Sequence, residues 1–433
     1  MSTEKTRTIE VKYLARVEGE GGLKVKIRGN KVEDVQLNIF EPPRFFEAML
    51  QGRSCLEAPD ITSRICGICP IAYQMSAIHA VENALGITVS DEIEDLRRLI
   101  YLGEWIESHG LHVYMLHAPD FLRYTGAVEM AKDYPDVVKT GLQLKKVGNE
   151  LMTLIGGREI HPINLRIGGF YRSPRRQELA PVLERLKWAR NSAVKTVEWV
   201  ASFPFPDWEH DACLVSLRAR KPRYPVEEGT IVSSRGLSIG VEDYEKWFFE
   251  EHMPHSTALH SALKGEGPYL VGPLARVHLN FDRFSPLVLE TAKKVGFAIP
   301  CKNPFKSIIA RSLEILYACD EAVSLIEKYH EPEPPSVSVK FRAGVGFAVT
   351  EAPRGLLFHR YQIQADGIIE TAKIVPPTSQ NQKSIERDLW QFVEANLLLP
   401  RKDLSWRCEQ TIRNYDPCIS CSAHFLDVRW EET

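Results

Sequence analysis

RICGICP, residues 64–70, is the stretch whose reading decides the rest of the chain, together with YDPCISCSAH at residues 415–424. Each holds a Cys-x-x-Cys pair, Cys66 with Cys69 and Cys418 with Cys421. Two such pairs supply four thiolates, enough for a tetrahedral soft-metal site. A small zinc knuckle folds around its metal and keeps its pairs close in sequence, whereas here 348 residues lie between Cys69 and Cys418. A site joining them must close nearly the whole chain, which suits the centre of a large fold. Spacing alone leaves three readings open: a structural zinc or iron–sulfur site, a catalytic metal, or unrelated thiols.

Outward from the cysteines, the composition narrows the choice. A chain of 433 residues is long enough for up to about three average domains or one large one. The net charge of −3 leaves no basic surplus to neutralise phosphates, so nucleic acid is not expected as a partner. No run of 18 apolar residues is present, so no membrane span is expected. The N-terminal MSTEKTRTIEVKY lacks the apolar core of a signal peptide, which favours a cytoplasmic location. Nine cysteines, odd in number and sparse, do not form a disulfide framework. The five outside the pairs read as buried apolar thiols.

Residues 8–40 read as β: Leu23, Val25 and Ile27 alternate, Gly29-Asn30 supplies a turn, and Val35, Leu37 and Ile39 alternate again. From about 70 to 330 the chain reads mostly as helix. One helix starts at SDEIED, where Asp91 and Glu94 have capping-box spacing. Breaks fall at Pro119, Gly156-Gly157, Gly168-Gly169 and FPFPDW, residues 203–208. EPEPPS, residues 331–336, is an extended spacer followed by alternating Val337, Val339 and Phe341. Asp366-Gly367 between two β-like runs marks a hairpin, and a helix resumes near Ser384. His109 and His112 share a predicted helical face with Trp105 and Leu116, and read as buried supporting histidines rather than ligands.

The residues flanking the cysteines carry a resemblance. RxCGxC near the N-terminus and DPCxxCxxH near the C-terminus, standing here as Arg64 to Cys69 and Asp416 to His424, resemble the two signatures of the large subunit of nickel–iron hydrogenases. ARVEGEGGL (15–23), PPRFFEAMLQGR (42–53), GGREIHPINLRIGG (156–169), EAPRGLLFH (351–359) and IVPPTSQNQ (374–382) resemble further segments of that family. The matches run from about residue 8 to 424. The implied fold is α+β and mainly helical, a central helical bundle with small antiparallel β elements near both ends. We expect a single domain over residues 1–433: an N-terminal β part (1–60), a helical body (61–335), a C-terminal β/α part (336–424) and a removable peptide (425–433).

The resemblance also assigns roles. Nickel would be held by all four thiolates, with Cys66 and Cys418 as terminal ligands. Cys69 and Cys421 would bridge to an iron carrying carbon monoxide and cyanide. The implied reaction is the heterolytic cleavage of dihydrogen. Glu18 would carry the proton away from the Cys418 thiolate, and a buried carboxylate or thiolate suits that work. Arg354 would hang over the centre as a planar cation, with Asp416 pointing towards it. Thr378 is the hydroxyl candidate near a cyanide. Glu47 and His424 resemble ligands of a separate magnesium or iron site.

Two departures from the family pattern stand out. The usual histidine four residues after the second cysteine is Tyr73, which can donate one hydrogen bond but cannot act as a cation. Where Ser/Thr-Thr often follows VP, the chain has Pro377 and Thr378. The tyrosine variant, with the modest length, resembles the cytosolic NAD(P)-linked or sulfur-reducing hydrogenases. No Gly-x-Gly-x-x-Gly follows a strand and no other cysteine group is present, so neither flavin, NAD(P) nor an iron–sulfur cluster is expected on this chain. Electrons would then leave through an iron–sulfur small subunit and on to flavin- and NAD(P)-binding subunits. Maturation factors would load the metals, and an endopeptidase would cut after His424. The rival from another class is a non-catalytic structural subunit whose four cysteines hold zinc.

Overall fold

The alternation at Leu23, Val25 and Ile27 becomes one face of a three-stranded antiparallel sheet. Its strands are Thr6–Val11, Gly21–Arg28 and Lys31–Ile39, in that order, in a computed structural model that describes residues 6–423. Val25 opposes Val35 and Leu23 opposes Leu37, all buried, so the register is fixed by the apolar face.

Four long helices, Asp91–Leu111, Pro135–Gly156, Arg176–Ala201 and Ser307–Glu327, pack on one another as the bundle. The first two approach so closely at Gly103 and Gly148 that a Cβ on Gly148 would stand 2.5 Å from the Gly103 carbonyl oxygen. The cap of Asp91–Leu111 lies one residue before the expected position. Ser90, not Asp91, is the N-cap, and its hydroxyl accepts from the Ile93 amide. The face carrying His109 and His112 also ends earlier than predicted. Residues His112–His117 form a π-helical turn, so the His117 ring, five residues on, lies tilted against the His112 ring with centroids 5.0 Å apart. The wider turn rotates Leu116 towards partial exposure.

The helical reading of 70–330 fails between 213 and 270. Cys213–Arg218 pairs with Thr230–Ser233 on one side and Tyr269–Leu270 on the other, with Ser238–Ile239 at the edge. Phe248–His252 and Leu259–Leu263 form a separate hairpin. CLVSL is an apolar run buried on both faces, and such a run has no period to tell strand from helix.

Near the C-terminus, Gly344–Ala352, Gly355–Ile363 and Ile369–Val375 form an antiparallel sheet, with the Asp366-Gly367 turn where the sequence predicts it. Val337, Val339 and Phe341 stay outside the ladder, which begins at Gly344. The last long helix starts at Pro377 rather than Ser384. Proline suits a first turn, where its missing N–H costs nothing. Strand Gly344–Ala352 lies directly on helix Pro70–Leu85, against the Ala80 carbonyl, where only glycine fits at position 346. Ser76 and Tyr101 both bond the Thr350 hydroxyl, at 2.7 and 2.9 Å, which ties that strand to the bundle. These contacts bring the two ends of the chain together.

Candidate metal centre

The first cysteine pair sits between a tight turn and a helix. Ser63–Ile65 forms a 3-10 turn, Cys66 is extended, and Pro70 opens the next helix with Cys69 as its N-cap. Within the loop the amides of Ile68 and Cys69 donate to Cys66 Sγ at 3.3 and 3.1 Å. The helix's first free amides, Ile71 and Ala72, donate to the buried Glu104 carboxylate at 2.6 and 3.2 Å. Glu104 therefore fixes the point where the loop ends. In the second pair, Asp416 takes a left-handed φ of 53°, Pro417 follows, and Ile419–Ser422 closes a single helical turn. The Cys418 amide donates to Thr378 Oγ1 at 3.0 Å, so the start of the Pro377 helix supports this pair.

The pairs meet. The sulfurs of Cys66, Cys69, Cys418 and Cys421 all lie within 4.8 Å of one another, and all four residues are buried. Cys66 Sγ and Cys418 Sγ are 3.6 Å apart. Cys418 and Cys421 are 2.6 Å apart, longer than the roughly 2.05 Å of a disulfide, and each is a free thiol. Arg44 pins the two loops: its Nη2 donates to the Ile65 carbonyl at 2.7 Å and also to the Ser420 carbonyl. Those carbonyls immediately precede Cys66 and Cys421, so one side chain sets the spacing of segments 355 residues apart (65 to 420). No local pattern in the sequence signals this role.

Electrostatics favour an anionic sulfur at Cys66. Burial pushes Cys418 up, and hydrogen bonds with the other thiols add to this. At Cys66 burial acts the same way, but hydrogen bonds from Cys418, Cys421 and Cys69, with the charge of Arg354, outweigh it and hold the thiol well below its usual value. Burial disfavours the Arg354 cation, yet Asp416 and the thiolates keep it charged.

The other predicted residues fall as follows. Glu18 is half-buried and touches the cluster: Cys418 Sγ donates to its Oε2 at 3.1 Å, as does the Ser420 amide. Ser420 Oγ donates to its Oε1 at 2.5 Å, and the Ile419 amide donates to its backbone carbonyl. Arg354 is buried, donating from Nε to the Asp416 carbonyl at 2.7 Å and from Nη2 to Asp416 Oδ1 at 3.2 Å. Its Nη1 has no hydrogen-bond partner among the described residues, and neither has Tyr73 Oη. Burial, then the neighbouring thiols, pushes the Tyr73 phenol well up. Glu47 lies away from the cysteines, accepting from the Ile374 amide at 2.7 Å. His424 and residues 425–433 lie outside the described residues. His109, 2.9 Å from Glu314, and His112, bonded to the Arg413 carbonyl at 2.8 Å, support the bundle rather than the sulfurs.

A family model described as nickel-dependent hydrogenase matches residues 44–140 and 265–424, more than half the chain. The chain belongs to the nickel-dependent hydrogenases. It is 34% identical over 421 residues to the alpha subunit of sulfhydrogenase 1 of Pyrococcus furiosus, covering 96% of this chain and 98% of that one. With the alpha subunit of sulfhydrogenase 2 of the same organism it is 34% identical over 425 residues, covering 97% and 100%. Among solved structures it is similar to an NAD+-reducing [NiFe]-hydrogenase in the H2-reduced state, with TM-score 0.86, 25% identity, and 96% and 99% of the two chains covered. The [NiFeSe]-hydrogenase of Dm. baculatum shares the fold at TM-score 0.78 and 21% identity, covering 97% of this chain and all of that one. The mainly helical hydrogenase fold and the oxidoreductase activity on dihydrogen expected from the two cysteine signatures both stand. The chain is the catalytic subunit of such a hydrogenase, and its relatives are alpha subunits of multisubunit enzymes.

The residues present fit a nickel–iron centre. Four converging thiols offer the soft, electron-rich donors such metals take. The free donors Arg354 Nη1 and Tyr73 Oη are buried and need acceptors, which a protein-only site leaves unmet.

Proposed function

We propose that Cys66 and Cys418 are the terminal nickel ligands and that Cys69 and Cys421 bridge to an iron carrying carbon monoxide and cyanide. Bound there, the metals supply a centre that polarises dihydrogen for heterolytic cleavage. The chain's own residues handle the proton. Cys418 takes it on Sγ and passes it to Glu18 Oε2, 3.1 Å away and half-exposed, which leads it from the dry interior towards solvent. Arg354, held by Asp416, would offer its Nη1 proton to a diatomic ligand of the iron. Thr378 accepts from the Cys418 amide, which leaves its hydroxyl proton for a second acceptor such as cyanide. Tyr73, where the family commonly has histidine, would donate one hydrogen bond to the bound centre. Glu47, with His424, is our candidate for a separate magnesium or iron site.

The contact between Cys418 and Glu18 carries this reading, because it joins a proposed metal ligand directly to an outward-leading carboxylate. Electron transfer is assigned to an iron–sulfur small subunit, and from it to flavin- and NAD(P)-binding subunits in the cytoplasm. Loop 156–169 supports that assignment: His161 bonds the Ser63 carbonyl at 2.8 Å, three residues before Cys66, and Ile160, Ile163 and, two residues past the loop, Tyr171 are exposed. Residues 425–433 are proposed to be removed by an endopeptidase after metal insertion. Cys418→Ser should abolish hydrogen uptake in the purified complex and lower its nickel content. Undiminished turnover in that variant would sink the ligand assignment.

A further inference from the structure

Among the described residues two groups of His, Cys, Asp or Glu converge as metal ligands do: the four cysteines, and His255 with His260 and Glu386. The second group lies apart from the first in the fold. His255 follows strand Phe248–His252, His260 stands on strand Leu259–Leu263, and Glu386 is on helix Pro377–Ala395. The ligand atoms lie within 4.8 Å of one another. Glu386 Oε1 is fixed by the Leu37 amide at 2.9 Å and by His255 Nε2 at 2.8 Å.

His260 is the member of the group whose ring nitrogens are unmet. It is fully buried, and neither ring nitrogen has a hydrogen-bond partner among the described residues. A buried imidazole left so carries a desolvation cost with nothing gained in return. Its Nδ1 stands 3.7 Å from Glu386 Oε2. That is too long for a hydrogen bond. It is close to the edge of a ligand tetrahedron, about 3.4 Å for metal–ligand bonds of about 2.0–2.1 Å. His255 and Glu386 each keep 15% of their side chains exposed, which gives an ion and one water a way in.

We propose that His255, His260 and Glu386 form a binding site for a divalent ion of the zinc class. Two imidazoles and one carboxylate suit zinc better than magnesium or calcium, which prefer all-oxygen sets. Binding displaces the proton between His255 and Glu386 to solvent and leaves one position for water. The ion acts as a strut. It clamps strand Leu259–Leu263, and through Leu37 the N-terminal sheet, to the helix whose second residue, Thr378, holds the Cys418 amide. This site is independent of the nickel ligands and of the roles assigned to them.

The test uses the intact complex, treated with a chelator, dialysed against zinc alone and analysed for zinc, nickel and iron. Wild type should take up one more zinc per chain than His260→Ala, and added zinc should raise its thermal midpoint but not the variant's. His255→Gln, at a partly exposed position, should show the same loss of zinc in case His260→Ala folds poorly. Nickel content and hydrogen uptake should be unchanged in His255→Gln. Cobalt replacing zinc should give the visible bands of a four-coordinate nitrogen and oxygen site in wild type alone. Equal zinc in wild type and both variants, or an unshifted midpoint in wild type, would overturn the proposal.

Discussion

Replacing Glu18 by glutamine separates proton handling from architecture. The carboxylate makes three side-chain contacts: Oε2 accepts from Cys418 Sγ and the Ser420 amide at 3.1 Å each, and Oε1 accepts from Ser420 Oγ at 2.5 Å. A glutamine places its carbonyl oxygen at the Oε2 position and keeps the first two contacts. Its NH2 then faces Ser420 Oγ, whose hydroxyl rotates to accept. Each bond loses its charge assistance, at most about 1 kcal/mol apiece and less for a half-exposed group. The cluster should therefore assemble, with normal nickel and iron. Proton acceptance is lost altogether, since an amide cannot take a proton from a thiol at neutral pH. Positioned general bases contribute about 10²–10⁴-fold, or about 3–5 kcal/mol of barrier. Exchange between deuterium gas and water protons, followed by mass spectrometry, should fall by at least about a hundredfold. A metal-replete Glu18→Gln enzyme with wild-type exchange would refute the route.

Arg44→Ala removes two bonds from a cation to carbonyls, worth about 1.5 kcal/mol each when shielded, and its packing over Phe46 at 5.4 Å. Nickel release to a chelator should be markedly faster, with Arg44→Lys intermediate, and equal rates would refute the pinning role. Glu314 is fully buried, and the charge and hydrogen bonds of Arg276 outweigh its burial and hold it down at about 2. Its folded-state value lies below the usual 4.5, so its stabilisation is full above about pH 4.5 and is lost as the pH falls towards 2. Glu314→Gln should cost about 3–5 kcal/mol near neutrality and flatten that acid limb in thermal scans. Tyr73→Phe should leave the metal content intact but shift the vibrational bands of the iron's diatomic ligands, if the phenol donates into the centre as proposed. An unshifted spectrum would place the hydroxyl elsewhere.

The two cysteine pairs were legible in their spacing, and the resemblance carried by the residues around them pointed to Glu18, Arg354, Asp416 and Thr378. The four cysteines, Glu18, Arg354, Asp416 and Thr378 are brought to one place in the fold. Arg44 and Glu104 were not legible, because each works by bonding backbone groups far away in sequence, and nothing around either residue marks such a partner. The N-terminal sheet and the Asp366-Gly367 hairpin carry period-two alternation and turn residues, and both formed as read. Strands Cys213–Arg218 and Leu259–Leu263 escaped because they are buried on both faces and show no period. The misplaced face at Leu116 has a similar cause, since a π turn changes the period without any proline or glycine to announce it.

The central claim is that the four converging thiols hold nickel and an iron with diatomic ligands. An infrared spectrum of the complex purified from its native host tests it most directly. The account predicts sharp, separate bands from iron-bound carbon monoxide and cyanide, all lost in Cys418→Ser. A spectrum without those bands from a complex that still oxidises hydrogen would contradict it.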